Sequence, residues 1–126
     1  MATRVKTILI ADDEEDLRLL VQVTLESPAY DIVTAVDGPS ALLAVQTQPP
    51  DLLILDWMMP GLSGYQVVDQ LRQNPDTAGI PVVMLTARDE RESKKLVQGL
   101  GLAGFLVKPF SPLALIQKVR EVLALA

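Results

Sequence analysis

The chain has 126 residues, 49% of them hydrophobic, a formal net charge of -5, and neither Cys nor His. A single domain of this length buries roughly two thirds of the surface its unfolded form exposes, so its core needs no disulfide or metal staple. The acidic balance argues against a nucleic-acid surface, no apolar run approaches the roughly 18 residues of a membrane span, and without His any phosphohistidine must come from a partner.

Met1-Ala2-Thr3-Arg4-Val5-Lys6 carries two cations, as an export signal would, but the apolar run that follows stops at Asp12 and is too short for one. The absence of Cys fits a reducing compartment, and the cytoplasm is the expected location. Thr7-Ile8-Leu9-Ile10-Ala11 reads as the first strand and ends in the acids Asp12-Asp13-Glu14-Glu15-Asp16. Those acids suit the first turn of a helix, where carboxylates cap orphan amides and match the dipole. Leu17, Leu20, Val21 and Leu25 are the expected buried face of that helix, and Ser27-Pro28 ends it.

Ile32 to Val36 is a β-branched strand flanked by Asp31 and Asp37, which places it near a sheet edge. Gly38-Pro39 opens the second helix, with Leu42 and Val45 facing inward, and Pro49-Pro50 closes it. Leu52-Leu53-Ile54-Leu55 has no helical period and reads as a strand buried on both faces. It delivers Asp56 to the lip of a turn formed by Met59-Pro60-Gly61, because Pro lacks the ladder donor and Gly permits reversed dihedrals. Ser63-Gly64 begins a third helix carrying Val67, Val68 and Leu71, which Asn74-Pro75 ends before a loop from Asp76 to Gly79.

Pro81 to Thr86 is the fourth strand, and Asp89 with Glu92 suggests a capping box for a fourth helix reaching about Gly99, with a thin apolar face of Leu96 and Val97. Phe105-Leu106-Val107 is the fifth strand and Lys108 its terminal polar residue. Ser111-Pro112 caps a last helix with the stripe Leu113, Ile116, Val119 and Leu123. Five strand-helix pairs with short connections imply an α/β fold whose parallel sheet is covered on both faces. No repeat, low-complexity tract or linker interrupts residues 1–126, so one domain without an effector domain is expected.

The strands end in Asp12-Asp13, Asp56, Thr86 and Lys108, and in a parallel sheet all these ends lie along one edge. Carboxylates about 5 Å apart repel by roughly 3 kcal/mol per ionised pair at an effective dielectric of 20, so they call for a counter-ion. A hard divalent cation held by a few oxygens fits, which points to Mg²⁺ or Mn²⁺. With Lys108 as a second cation and the Thr86 hydroxyl as a donor, the set suits phosphoryl transfer to a carboxylate, and Asp56, alone on the central strand, is the nucleophile.

These residues resemble the response-regulator receiver domains of two-component signalling. The likeness rests on Asp12-Asp13, on Asp56 followed by Met59-Pro60-Gly61 and Gly64, on Leu85-Thr86-Ala87, and on Phe105 ahead of Lys108-Pro109-Phe110. It implies the flavodoxin-like strand order 2-1-3-4-5, which spacing alone leaves open. It implies that Asp56 accepts a phosphoryl group from a sensor histidine kinase or a histidine phosphotransfer protein, with Asp12, Asp13, Asp56 and the Trp57 carbonyl serving Mg²⁺. By the same resemblance Thr86 and Lys108 contact the phosphoryl oxygens, Lys108-Pro109 is a candidate cis peptide, and Thr86 with Phe105 forms the switch. The readout face is then the fourth helix, fifth strand and fifth helix, facing an unknown output partner or domain, and a homodimer through that face stays open.

Two neighbours of the site, Met58 and Arg88, are candidates for tuning the phosphoryl lifetime. Met58 cannot orient an attacking water, which suggests a comparatively long-lived phosphoryl group. Leu102-Ala103-Gly104 stands where many members carry acids, which weakens the case for a salt-bridged dimer of the DNA-binding kind. An aspartyl phosphatase would want a second acid at the place of Met58, and a nucleotide-binding module would want a Gly-rich loop ending in Lys and Ser or Thr. A receiver-like scaffold indifferent to phosphorylation would keep the fold and lose site residues, whereas here the set is complete.

Overall fold

The computed structural model describes residues 4–125; Met1–Thr3, the start of the stretch weighed above as an export signal, and Ala126 lie outside them. The chain alternates strand and helix five times: β1 (Lys6–Ala11), α1 (Glu15–Thr24), β2 (Tyr30–Ala35), α2 (Gly38–Thr47), β3 (Leu52–Asp56), α3 (Gly64–Gln73), β4 (Val82–Thr86), α4 (Glu90–Leu100), β5 (Gly104–Val107) and α5 (Pro112–Leu125). All strand pairs are parallel and the order is β2-β1-β3-β4-β5. The strand read as an edge from its flanking acids is an edge strand, and the uniformly apolar β3 lies at the centre.

Strand alternation divides the core in two. Ile8, Ile10, Leu52, Ile54, Val83, Leu85 and Leu106 pack with Val21 and Leu25 of the α1 segment and with Leu115, Val119 and Val122 of α5. Their neighbours Leu9, Ala11, Leu53, Leu55, Val82 and Met84 pack on the other face against Ala41 and Val45 of α2 and Val67, Val68 and Leu71 of α3. Every residue of β3 and β4 is buried, as an apolar strand covered on both faces requires.

Several local expectations are corrected. Leu20 is 46% exposed and Leu113 is 62% exposed; in α5 Val119 is buried as expected and Ile116 and Leu123 pack half-buried against the core, while Leu115 and Val122 complete the buried stripe. In both helices more than one apolar stripe fits the 3.6-residue period, and only the docking against the sheet selects one. The acids before α1 do not cap it through their own cap position: Glu14 stands there without a side-chain cap bond, and Asp12 Oδ1 takes the Glu14 N–H at 2.9 Å. At α4 the Asp89 side chain accepts from Glu92 N–H, but the return half of a capping box is not formed. The complete box belongs to α3, where Ser63 and Gln66 cap each other reciprocally.

The β3–α3 turn is built by two glycines. Gly61 has φ +81°, the left-handed region where a side chain is strained. Gly64 lets α3 start against the Trp57 ring: an added Cβ would lie 2.5 Å from Trp57 Cε3 and 2.9 Å from its Cα. Replacing Gly64 by Ala is therefore expected to lower the unfolding free energy by about 1–3 kcal/mol through overpacking. In the same urea titration Gly79→Ala, where nothing lies within 4 Å, should stay within about 0.5 kcal/mol of wild type.

Candidate functional site

Strand register brings the site residues level with one another. Ala11 pairs with Leu55, Asp56 with Leu85 and Thr86 with Val107, so Asp12, Asp56 and Lys108 all emerge at the carboxyl edge. Alternation continued past the strand ends puts these three on the side of α1 and α5, and Thr86 on the opposite side with Phe105, whose strand neighbour is Met84.

Lys108 Nζ donates to Asp56 Oδ1 at 3.1 Å and lies 3.9 Å from both Asp12 Oδ2 and Glu14 Oε1. The Met58 N–H donates to the same Asp56 Oδ1 at 3.3 Å, so Asp56 Oδ2 accepts no hydrogen bond among the described residues. Asp56 is 3% exposed and Asp12 is fully buried. Each of Asp12, Asp13 and Asp56 offers a carboxylate oxygen within 4.8 Å of the others. Asp12 Oδ2 is buried with no hydrogen-bond partner.

Burial is the largest influence on Asp12 and lifts its carboxyl from 3.8 to about 6; the Glu14 amide and Lys108 oppose this, while the charge of Asp56 adds to it. A buried carboxylate oxygen with no hydrogen bond and only a distant ammonium is costly unless a cation takes it. Three carboxylates with one such oxygen, and no nitrogen or sulfur donor in the group, form a site for a hard oxygen-seeking cation.

The sequence-predicted residues do not all meet. Asp12, Asp13, Asp56 and Lys108 converge. The Thr86 hydroxyl oxygen instead accepts the Arg88 N–H at 2.9 Å and makes no hydrogen bond to the carboxylates. Phe105 is half-buried against the core layer of α2 and α3. The Trp57 carbonyl accepts the Gly64 N–H at 3.0 Å, closing the turn, while the Met58 carbonyl accepts no hydrogen bond among the described residues. Met58 is 71% exposed beside the site, Arg88 reaches Glu92 at 3.8 Å, and the Lys108–Pro109 peptide is cis.

Two residues were not singled out from sequence. Glu14 lies near Lys108, and Arg18 Nη1 donates to the Asp12 main-chain carbonyl at 2.9 Å. The available signal was Arg18 itself, a cation in the early turns of a helix, where the dipole disfavours it.

Comparison with known proteins agrees with this geometry. The chain is 44% identical over 118 residues to the alkaline phosphatase synthesis transcriptional regulatory protein PhoP of Bacillus subtilis (strain 168), covering 94% of this chain and 48% of that protein. It is 41% identical over 120 residues to the phosphate regulon transcriptional regulatory protein PhoB of Escherichia coli (strain K12), covering 94% of this chain and 52% of that one. The chain thus spans about half the length of the curated relatives it matches. Among solved structures, the chemotaxis response regulator CheY4 of Vibrio cholerae superposes with a TM-score of 0.86 at 33% identity, over 94% of this chain and 98% of that one. The receiver domain of the Francisella response regulator 1452 gives 0.86 at 32%, over 94% and 97%. The family description "Response regulator receiver domain" matches residues 8–120, nearly the whole sheet and its helices. With the fold, the acidic strand ends and these likenesses in agreement, the chain belongs to the response regulator receiver domain family.

Proposed function

We propose that Asp56 is a phosphoacceptor, taking its phosphoryl group from the phosphohistidine of a sensor kinase or of a histidine phosphotransfer protein. The observation that carries this reading is a buried Asp56 at the end of β3, 3.1 Å from Lys108 Nζ and grouped with two further carboxylates. Asp56 Oδ2, which no donor engages, attacks phosphorus. The P–N bond breaks, its electron pair returns to the imidazole nitrogen, and an acyl phosphate forms on Asp56. Lys108 then shares its charge with the phosphoryl oxygens. The Thr86 hydroxyl, whose oxygen is held by Arg88 N–H, keeps its own hydrogen to donate to a phosphoryl oxygen.

Asp12, Asp13 and Asp56 are the carboxylates for Mg²⁺ or Mn²⁺. The Met58 carbonyl is the better main-chain donor, because the Trp57 carbonyl expected from the family resemblance is occupied by Gly64. Such a cation, when bound, neutralises charge on the transferring group.

Phosphorylation adds about -1.5 to -2 charges and new acceptor oxygens. The response runs through Thr86 and Phe105, which share a face, to α4, β5 and α5. In α4 only Ser93 is fully buried, with Leu96, Val97 and Leu100 packed half-covered against the core, and we read this helix as the element that moves. The role is that of a signalling switch in the cytoplasm, and no helix among the described residues is long and apolar enough to cross a membrane. A partner, an attached segment or a second copy docking on that face carries the output. A scaffold indifferent to phosphorylation has no use for a buried Asp12 Oδ2 left without a hydrogen bond.

Incubation with Mg²⁺ and a small phosphoryl donor should add one phosphoryl group to the intact mass, and none to an Asp56→Asn variant or to a metal-free sample. Beryllofluoride, a mimic of the bound phosphoryl group, should change Trp57 fluorescence; no such change together with no mass adduct would sink the reading. The folded Asp12 carboxyl releases its proton near pH 6 against 3.8 when unfolded, so metal-free stability should fall as pH rises from about 4 to about 6 and stay low above it. By that shift Asp12→Asn should be more stable than wild type at pH 7 by on the order of 2–3 kcal/mol in chelator, and Mg²⁺ should stabilise wild type alone. Met58→Asn, placing an amide able to hold water beside Asp56, should shorten the phosphoryl lifetime several-fold when loss of the adduct is followed by mass.

A further inference from the structure

Asp12 is held at three of its four polar atoms. Its N–H donates to the Ala35 carbonyl at 3.2 Å, its Oδ1 accepts from Glu14 N–H at 2.9 Å, and its carbonyl accepts from Arg18 Nη1 at 2.9 Å. The fourth, Oδ2, is buried with no hydrogen bond, its nearest cation Lys108 Nζ at 3.9 Å. Two of the three restraints are main-chain donors or acceptors that come with the strand and turn. The third is a side chain, and its placement is unusual. Arg18 sits early in α1, where a cation opposes the helix dipole. It also follows the acidic run Asp12–Asp16 yet forms no ion pair among the described residues, spending its donor on a neutral carbonyl instead.

We propose that Arg18 is a positioning residue for the cation site. By fixing the Asp12 carbonyl it fixes the peptide joining Asp12 to Asp13, and so aims Asp12 Oδ2 and the Asp13 carboxylate at one divalent ion. This role rests on the cation reading above. It also has a distinctive sign. Arg18 is a positive charge near a cation site, so if its field were all that mattered, removing it would tighten Mg²⁺ binding. If it positions the ligands, removing it loosens binding in spite of the relieved repulsion.

The test is an MgCl₂ titration of the whole chain, read by Trp57 fluorescence and by calorimetry, for wild type, Arg18→Met and Arg18→Lys. Thermal unfolding in chelator verifies that each variant is folded. Arg18→Met should raise the Kd on the order of 10-fold. Arg18→Lys should recover part of the loss, because an ammonium can donate to the same carbonyl. Should Arg18→Met fail to fold, Arg18→Gln, neutral and shorter, takes its place with the same expected weakening. An unchanged or lower Kd in the neutral variant overturns the role of Arg18 while leaving the cation site intact. A wild-type chain that binds no Mg²⁺ overturns the cation reading, and this role with it.

Discussion

The constraint on which the site depends is the burial of negative charge at the end of a parallel sheet. Asp12 and Asp56 are both nearly inaccessible to water, yet each lies within ion-pair distance of one ammonium, that of Lys108. One cation cannot balance this group, because Asp13 and Glu14 add to it, and burial first, with Asp56 adding, lifts the Asp12 carboxyl to about 6 and leaves its Oδ2 without a hydrogen bond. The fold holds this arrangement at a cost in stability. The same cost is a reserve of binding energy for any cation that completes the charge balance.

What makes that arrangement possible is the rigidity behind it. β3, which carries Asp56, and its neighbour β4 are buried along their whole length, β1 ahead of Asp12 is buried from Ile8 onward, and their register is set by the crossovers and by two apolar layers. A slip of one residue would turn Asp56 to the other face of the sheet and take it away from Lys108. Gly64 extends this rigidity into the β3–α3 turn by seating α3 directly on Trp57, which holds the chain immediately after Asp56.

The opposite side of the site is built on Thr86 and α4. Thr86 is buried at the end of β4, but α4 beyond it keeps only Ser93 fully buried, with Leu96, Val97 and Leu100 half-covered. Its charged residues make exposed i,i+4 contacts, Arg88 with Glu92 and Glu90 with Lys94, each at 3.8 Å and each worth little.

Much of this was legible in the sequence. The aliphatic runs, the Pro and Gly punctuation and the polar residue ending each strand fixed the number of elements, the α/β class and the residues Asp12, Asp13, Asp56 and Lys108, because strand burial and turn chemistry are local in origin. Local pattern could not choose which stripe of α1 and α5 faces inward, since Leu20 and Leu113 fit the helical period as well as the residues that are buried. Nor could it reveal that Asp12 Oδ2 is left without a partner, that the Trp57 carbonyl is taken by Gly64 while that of Met58 is not, or that Arg18 folds back onto Asp12. The sequence by itself determined which residues reach the edge of the sheet. Tertiary structure alone decided which of them meet, because contacts between segments far apart in the chain depend on register and docking, and neither is encoded in a local window.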